Sequence, residues 1–307
     1  MIERCLSSIR ELAYPEEEYQ VIIVDGHSTD HTVEVARRYA CSVVYENVGT
    51  IGGARNIGVG ESNGRYIVFT DADCVAEKDW LKNLIKNFDN SDVVSVGGPN
   101  ITPEDDADFA KCVGRVLSFL SQAGARYGFN ANKVMETYHN PTCNVAYKKD
   151  VFQEAGGFNE KLVTCDDEEL DYRLKEKGYK ILYTPDARVL HYRRSTWREF
   201  MEMAFNYGVG RMQAIKLHRK MGKWFHYAPP ATVLLILFFF PMSALTTIFA
   251  LTSLLISLLG GISIAVMSLH LAVKEQKNFL ILYGLILIWF FGYGFGMLRG
   301  LLKKARR

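Results

Sequence analysis

The spacing of apolar residues changes along this chain, and each change outlines an element. Ile2, Leu6, Ile9 and Leu12 recur at helical spacing, which predicts an opening helix. Val21-Ile22-Ile23-Val24 is a continuous apolar run, the pattern of a buried strand, and it stops at Asp25-Gly26. The same reading predicts a helix over 32–39, a strand over 42–45 and a glycine-rich helical turn over 52–58. A strand over 66–69 then breaks into Asp71-Ala72-Asp73. Further strands are expected at 93–96, 144–147, 181–183 and before His191. Helices are expected at 109–120, 149–155, from 166, and from 193 to about 211, the second of these four leading into Gly156-Gly157-Phe158. Strand alternating with helix implies an α/β domain, a mostly parallel sheet with helices on both faces. The helix at 109–120 is expected to cover the site, and the polar stretch 126–141 to form an acceptor loop.

Beyond Tyr227 the pattern loses its polar half. Ala228 to Leu269 contains no Lys, Arg, Asp or Glu, enough for two spans of about 20 residues, and Phe279 to Leu298 supplies one more. The expected organisation is a catalytic domain over 1–210, a basic amphipathic linker over 211–227 and an all-α transmembrane region over 228–302. The basic stretches 216–223 and 299–307 both favour the cytoplasmic side, which leaves the orientation of the last segment open.

Composition narrows the function classes. A net charge of +2 makes no case for a nucleic-acid partner. Six cysteines at 5, 41, 74, 112, 143 and 165 form no Cys-x-x-Cys pair, which argues against a zinc site and against a disulfide framework. The first residues carry no apolar signal core.

The candidate chemistry lies where strands end. Asp71 and Asp73 follow an apolar strand, so both carboxylates reach the ligand-binding edge of the sheet and suit one hard divalent cation, Mg2+ or Mn2+. The same residues also suit a helix cap. Asp25 ends its own strand beside a glycine and reads as a ligand to a base or ribose, or as a turn former. Asp166-Asp167-Glu168-Glu169 open a helix, where acids complement the helix dipole; one of them, facing the site, has the place of a general base. His191 ends a strand and reads as a metal ligand, a phosphate contact or a structural residue. Arg194, in the Arg193-Arg194-Ser195-Thr196 helix start, suits a diphosphate, and equally a collar beside anionic lipid.

In order, Val24-Asp25-Gly26-His27-Ser28-Thr29-Asp30, Arg55-Asn56-Ile57-Gly58, Asp71-Ala72-Asp73, Gly156-Gly157-Phe158 and Asp166-Asp167-Glu168-Glu169-Leu170 resemble family 2 glycosyltransferases of the GT-A fold. Gly97-Gly98-Pro99 and the Asp186–His191 strand are similar to the succinoglycan-biosynthesis (exopolysaccharide) type. The resemblance implies a metal-dependent, inverting transfer from a UDP- or GDP-linked sugar to a lipid-linked saccharide at the cytoplasmic face of the cell membrane. Carried over, Asp25, Arg55, Asn56, Asp71 and Arg194 bind the nucleotide sugar. Asp73, with Asp71 and His191, holds Mn2+ or Mg2+; Asp167 is the catalytic base; Asp166 and Asn144 lie on the acceptor side. The family's first strand has no counterpart before the opening helix, and the Gln-x-x-Arg-Trp motif of processive synthases is absent. A polyprenyl-phosphate sugar synthase and a catalytically degenerate membrane scaffold stand as alternatives.

Overall fold

The computed structural model describes residues 1–124 and 132–303. In chain order the elements begin α1 (Ile2–Arg10), β1 (Val21–Asp25), α2 (Thr32–Ala36), β2 (Cys41–Tyr45), α3 (Ile51–Glu61), β3 (Tyr66–Thr70), β4 (Cys74–Ala76) and α4 (Trp80–Ile85). They continue with β5 (Val93–Gly97), β6 (Asn100–Ile101), α5 (Asp108–Gly124), β7 (Met135–Glu136), β8 (Asn144–Lys148), α6 (Lys149–Glu154) and α7 (Asp166–Glu176). Then come β9 (Lys180–Tyr183), β10 (Val189–His191), α8 (Trp197–Leu217), α9 (Trp224–Met242), α10 (Thr247–Glu275) and α11 (Phe279–Leu302).

Two compact units emerge, the first from Met1–Asp105 with Ala125–Tyr192, the second from Asp106–Gly124 with Arg193–Arg307. The expected boundary at residue 210 falls inside the continuous helix α8, and α5 belongs with the second unit.

In the first unit, β3-β8-β5-β9-β7 form the main sheet. The alternation of strands and helices predicted a mostly parallel sheet; the observed one is mixed. β5 and β9 run parallel, whereas β8 enters between β3 and β5 antiparallel to both. A strand's direction is set by how the chain arrives at it, which its own apolar pattern does not encode. β1 and β2 pair in parallel as a separate ribbon, and β4-β10-β6 make a third, small sheet. Among the described residues β1 has only β2 as strand partner, and β3 only β8. Buried side chains fill both faces of the main sheet. Trp80, Leu84, Val96 and Ala146 pack on one side. Val94, Val145, Tyr147, Phe158 and Leu174 pack on the other. Val145 and Ala146 are adjacent and so point to opposite faces. Val94 and Val96, two apart, part company because the register of β5 shifts between Val93 and Ser95.

The second unit is all-α. Thr196 and Glu199 cap α8 reciprocally: the Glu199 amide donates to Thr196 Oγ1 at 3.2 Å while Glu199 Oε2 accepts from the Thr196 amide at 3.2 Å. A helix from 193 to about 211 was expected, with a basic amphipathic linker over 211–227. α8 runs on to Leu217, and its Ala204, Gly208 and Met212 face Gly292, Gly296 and Gly300 of α11, spaced four residues apart. A Cβ on Gly296 would run into the Phe205 carbonyl, so the two backbones touch as small-residue helix pairs do. The helix expected over 109–120 forms as α5, Asp108–Gly124, and its apolar face (Cys112, Val113, Val116) packs against Phe200, Ile264 and Leu285 of this unit. Helices α9, α10 and α11 are long and apolar enough to cross a membrane.

Candidate active site

The site in the first unit grows from strand ends. β3 ends at Thr70, and Asp71 and Asp73 occupy the tight connection into β4, closed by the Cys74 amide donating to the Asp71 carbonyl at 3.0 Å. β10 pairs antiparallel with β4 so that His191 sits opposite Cys74, one residue from Asp73. That register brings His191 Nε2 to 3.3 Å from Asp73 Oδ1. Ligand atoms of Asp71, Asp73 and His191 all lie within 4.8 Å of one another. Two hard carboxylate oxygens and one imidazole fit Mn2+, and Mg2+ less selectively. Desolvation pushes the Asp71 carboxyl up to about 6; the nearby Cys143 thiol adds to this, and Arg55 and His191 oppose it.

Arg55 on α3 links this cluster to the second one. Its guanidinium donates to Asp166 Oδ2 at 2.9 Å, lies 3.6 Å from Asp71 Oδ1 and covers the Phe158 ring at 5.7 Å. Asp166 is buried at the first turn of α7, which Cys165 enters in a left-handed conformation (φ 64°). Burial and the adjacent Asp167 raise the Asp166 pKa, and Arg55 pulls it back. Asp167 is held differently: its Oδ2 accepts from the Thr142 amide and hydroxyl, each at 3.3 Å. Its side chain is 17% exposed, so the carboxylate keeps access to solvent.

Beneath Asp167 lies a group the sequence reading missed. His139 is buried, with Nε2 3.7 Å from Asp167 Oδ2 and Nδ1 2.8 Å from Asp171 Oδ2. Asp171 also accepts from the Asn140 amide at 3.1 Å and the Tyr147 hydroxyl at 2.9 Å. Burial raises the Asp171 pKa, and the bonds from His139, Asn140 and Tyr147 oppose that rise. Burial opposes charge on His139, yet Asp167, Asp171 and Glu168 together outweigh it and raise the ring's pKa above its usual value. The signal was present in part: Asp167 and Asp171 are four apart on one helix face, an unfavourable pair without a cation between them. His139 itself stood in an irregular polar stretch, of which 126–131 lies outside the described residues.

Asp25 is buried at the end of β1 and its Oδ2 accepts from the Ser28 amide at 2.9 Å, closing the turn. Asn56 has its amide engaged in the chain: it donates to the Phe158 carbonyl (2.9 Å) and Glu160 (3.0 Å) and accepts from the Phe158 amide (2.9 Å). This clamps the Gly156-Gly157 turn, both of whose glycines have positive φ. Asn144 was expected on the acceptor side, and the geometry corrects this. It is fully buried, accepts from Trp80 Nε1 at 2.7 Å and donates to the carbonyls of Pro99 (2.9 Å) and Ala187 (2.7 Å). A side chain with no exposed surface meets no acceptor; it ties β8 to the β4-β10-β6 sheet. Arg194 belongs to the second unit, exposed just before α8.

Comparison with known proteins supplies the frame. The family described as glycosyl transferase family 2 matches residues 1–156. Glycosyltransferase AglE of Haloferax volcanii is 27% identical over 231 residues, 71% of each chain. A second relative, of Methanococcus voltae, is 26% identical over 226 residues, 68% of each chain. It is named as a diacetamido-dideoxy-glucuronosyltransferase acting on dolichyl N-acetylglucosaminyl phosphate. Among solved structures, a Pyrobaculum calidifontis mannosyltransferase in complex with GDP-Man and Mn2+ superposes with a TM-score of 0.63 at 20% identity. The match covers 98% of this chain and 83% of that one and establishes a shared GT-A architecture.

Proposed function

Since the chain belongs to glycosyl transferase family 2 and is a glycosyltransferase, we propose that it is a membrane-held, inverting enzyme. It moves a sugar from a nucleotide-diphosphate donor to a hydroxyl of a lipid-linked saccharide. The observation that carries this reading is one continuous line of charge: Asp73, His191 and Asp71, then Arg55, then Asp166 and Asp167. One end suits a hard cation and a diphosphate, the other a proton acceptor.

Asp71, Asp73 and His191 would hold Mn2+ or Mg2+, which when bound neutralises charge on the departing diphosphate. Asp25, at the end of β1, is assigned to the nucleoside. Arg55 ties the two carboxylate clusters at a fixed spacing, and Asn56 shapes the Gly156–Phe158 turn that Arg55 covers, so Asn56 positions and does not contact the donor. Asp167 takes the proton of the acceptor hydroxyl, and that oxygen attacks the anomeric carbon opposite the leaving group. Imidazolium at His139 keeps Asp167 ionised until the acceptor arrives. Arg194 is assigned to phosphate at the membrane-proximal unit. Helices α9–α11 keep the enzyme where lipid-linked acceptors are concentrated, with the catalytic unit on the cytoplasmic face. The Methanococcus voltae relative, named for a dolichyl-linked acceptor, supports the acceptor class.

The test is a panel of nucleotide sugars offered to the chain in membranes with Mn2+, with lipid-linked saccharides as acceptors. Asp73→Asn should lower kcat by about 10²–10³-fold, the scale for losing one electrostatic stabiliser, and Asp167→Asn should abolish transfer to a hydroxyl. Full transfer by Asp167→Asn would mean an acceptor already ionised, and the hydroxyl-acceptor reading would fall.

A further inference from the structure

Two cysteines approach the carboxylate cluster from different parts of the chain. Cys74 is the first residue of β4, and Cys143 immediately precedes β8; both are buried, and neither is in a disulfide. Their Sγ atoms and a ring nitrogen of His191 lie within 4.8 Å of one another, and the β4–β10 register fixes His191 directly across from Cys74. Asn100 Nδ2 donates to Cys143 Sγ at 3.0 Å, the kind of contact that supports a sulfur carrying negative charge.

We propose that Cys74, Cys143 and His191 form a second cation site, selective for soft or borderline divalent ions of the Zn2+ and Cd2+ class. Two thiolates and an imidazole are the donors such ions prefer, whereas Mg2+ and Mn2+ favour the oxygens of Asp71 and Asp73. Tetrahedral bonds of about 2.3 Å to sulfur and about 2.0 Å to nitrogen set ligand atoms roughly 3.5 Å apart, so the set closes by roughly an ångström on binding. Both thiols give up their protons: one M2+ enters, two H+ leave, and water completes the coordination.

His191 belongs to both sets of ligands. An imidazole drawn onto the soft ion is withdrawn from the carboxylates, so Zn2+ at this site antagonises Mn2+-supported transfer. This second statement rests on the proposed function; the binding does not.

The experiment uses the full chain in detergent with Cd2+ and Zn2+ as probes. Cd2+ produces an ultraviolet thiolate-to-metal charge-transfer band that Cys74→Ser/Cys143→Ser removes. Zinc-edge X-ray absorption of the unmodified protein gives two sulfurs and one imidazole. Asn100→Ala weakens Cd2+ binding about 10–100-fold. The turnover ratio with and without Zn2+, read within each variant at fixed Mn2+, rises to one in Cys143→Ser. A missing band, a band that survives the double serine variant, or a zinc shell of oxygen and nitrogen alone overturns the site. Zn2+ inhibition unchanged in Cys143→Ser overturns the antagonism. Sulfur-ligated Zn2+ in a chain that turns over no nucleotide sugar would uphold the site and sink the glycosyl-transfer reading instead.

Discussion

Replacing Asn144 by leucine separates a clamp from an acceptor contact. The side chain makes three hydrogen bonds, accepting from Trp80 Nε1 and donating to the carbonyls of Pro99 and Ala187, all at 2.7–2.9 Å. Leucine is close in volume but makes none. Each bond contributes about 1 kcal/mol net, and a buried partner left unsatisfied costs about 1–3 kcal/mol. Trp80, with its ring buried, is left without its acceptor, and the loss comes to about 3–5 kcal/mol, a large share of a typical 5–15 kcal/mol stability. At about 2–4 °C per kcal/mol for a unit of this size, the first unit should melt roughly 6–20 °C lower. Hydrogen exchange at the β8 amides should accelerate with it, because the clamp anchors the strand's first residue. Well below the new melting point the acceptor KM should stay put. The reasoning fails if Asn144→Leu melts like the parent protein and shows a raised acceptor KM, because the amide would then be meeting substrate.

Four further outcomes follow from the geometry. His139→Gln keeps a donor for Asp171 but removes the positive charge beside Asp167, so the acid limb of the kcat–pH profile should move to higher pH; an unmoved limb in a folded variant refutes the pairing. The ring's pKa is raised on folding, so its stabilising contribution is complete below about 6.5 and lost as pH climbs through the folded value; His139→Gln should therefore destabilise more in acid than in base. Asp71 protonates near 6, and a proton competes with the cation, so Mn2+ affinity measured by calorimetry should hold above that pH and fall below it. Gly296→Leu inserts a side chain where α11 touches the Phe205 carbonyl and should destabilise the helical unit by about 1–3 kcal/mol, read as earlier detergent-induced unfolding of α8.

Much of this protein was legible in one dimension because its signals are local. An apolar run of four residues that gives way to Asp is a strand end wherever it folds, so β1 with Asp25 and β3 with Asp71 and Asp73 stand where the pattern placed them. The acid-rich start of α7 and the three apolar helices were equally plain, since the helix dipole and hydrocarbon thickness act on contiguous residues.

What the tertiary structure decided concerns residues whose partners lie far along the chain. Asn144 looked like a polar residue near the acceptor until Trp80, Pro99 and Ala187 closed around it. His139 had no motif, and its position between Asp167 and Asp171 depends on where the connection before β8 crosses α7. Cysteine spacing argued against a thiolate metal site, yet Cys74 and Cys143 converge because β3 and β8 pair antiparallel and end together. A sequence fixes which groups a strand or helix carries; distances across 69 residues, the separation of those cysteines, are set only when packing and strand register bring the ends of different elements to one place.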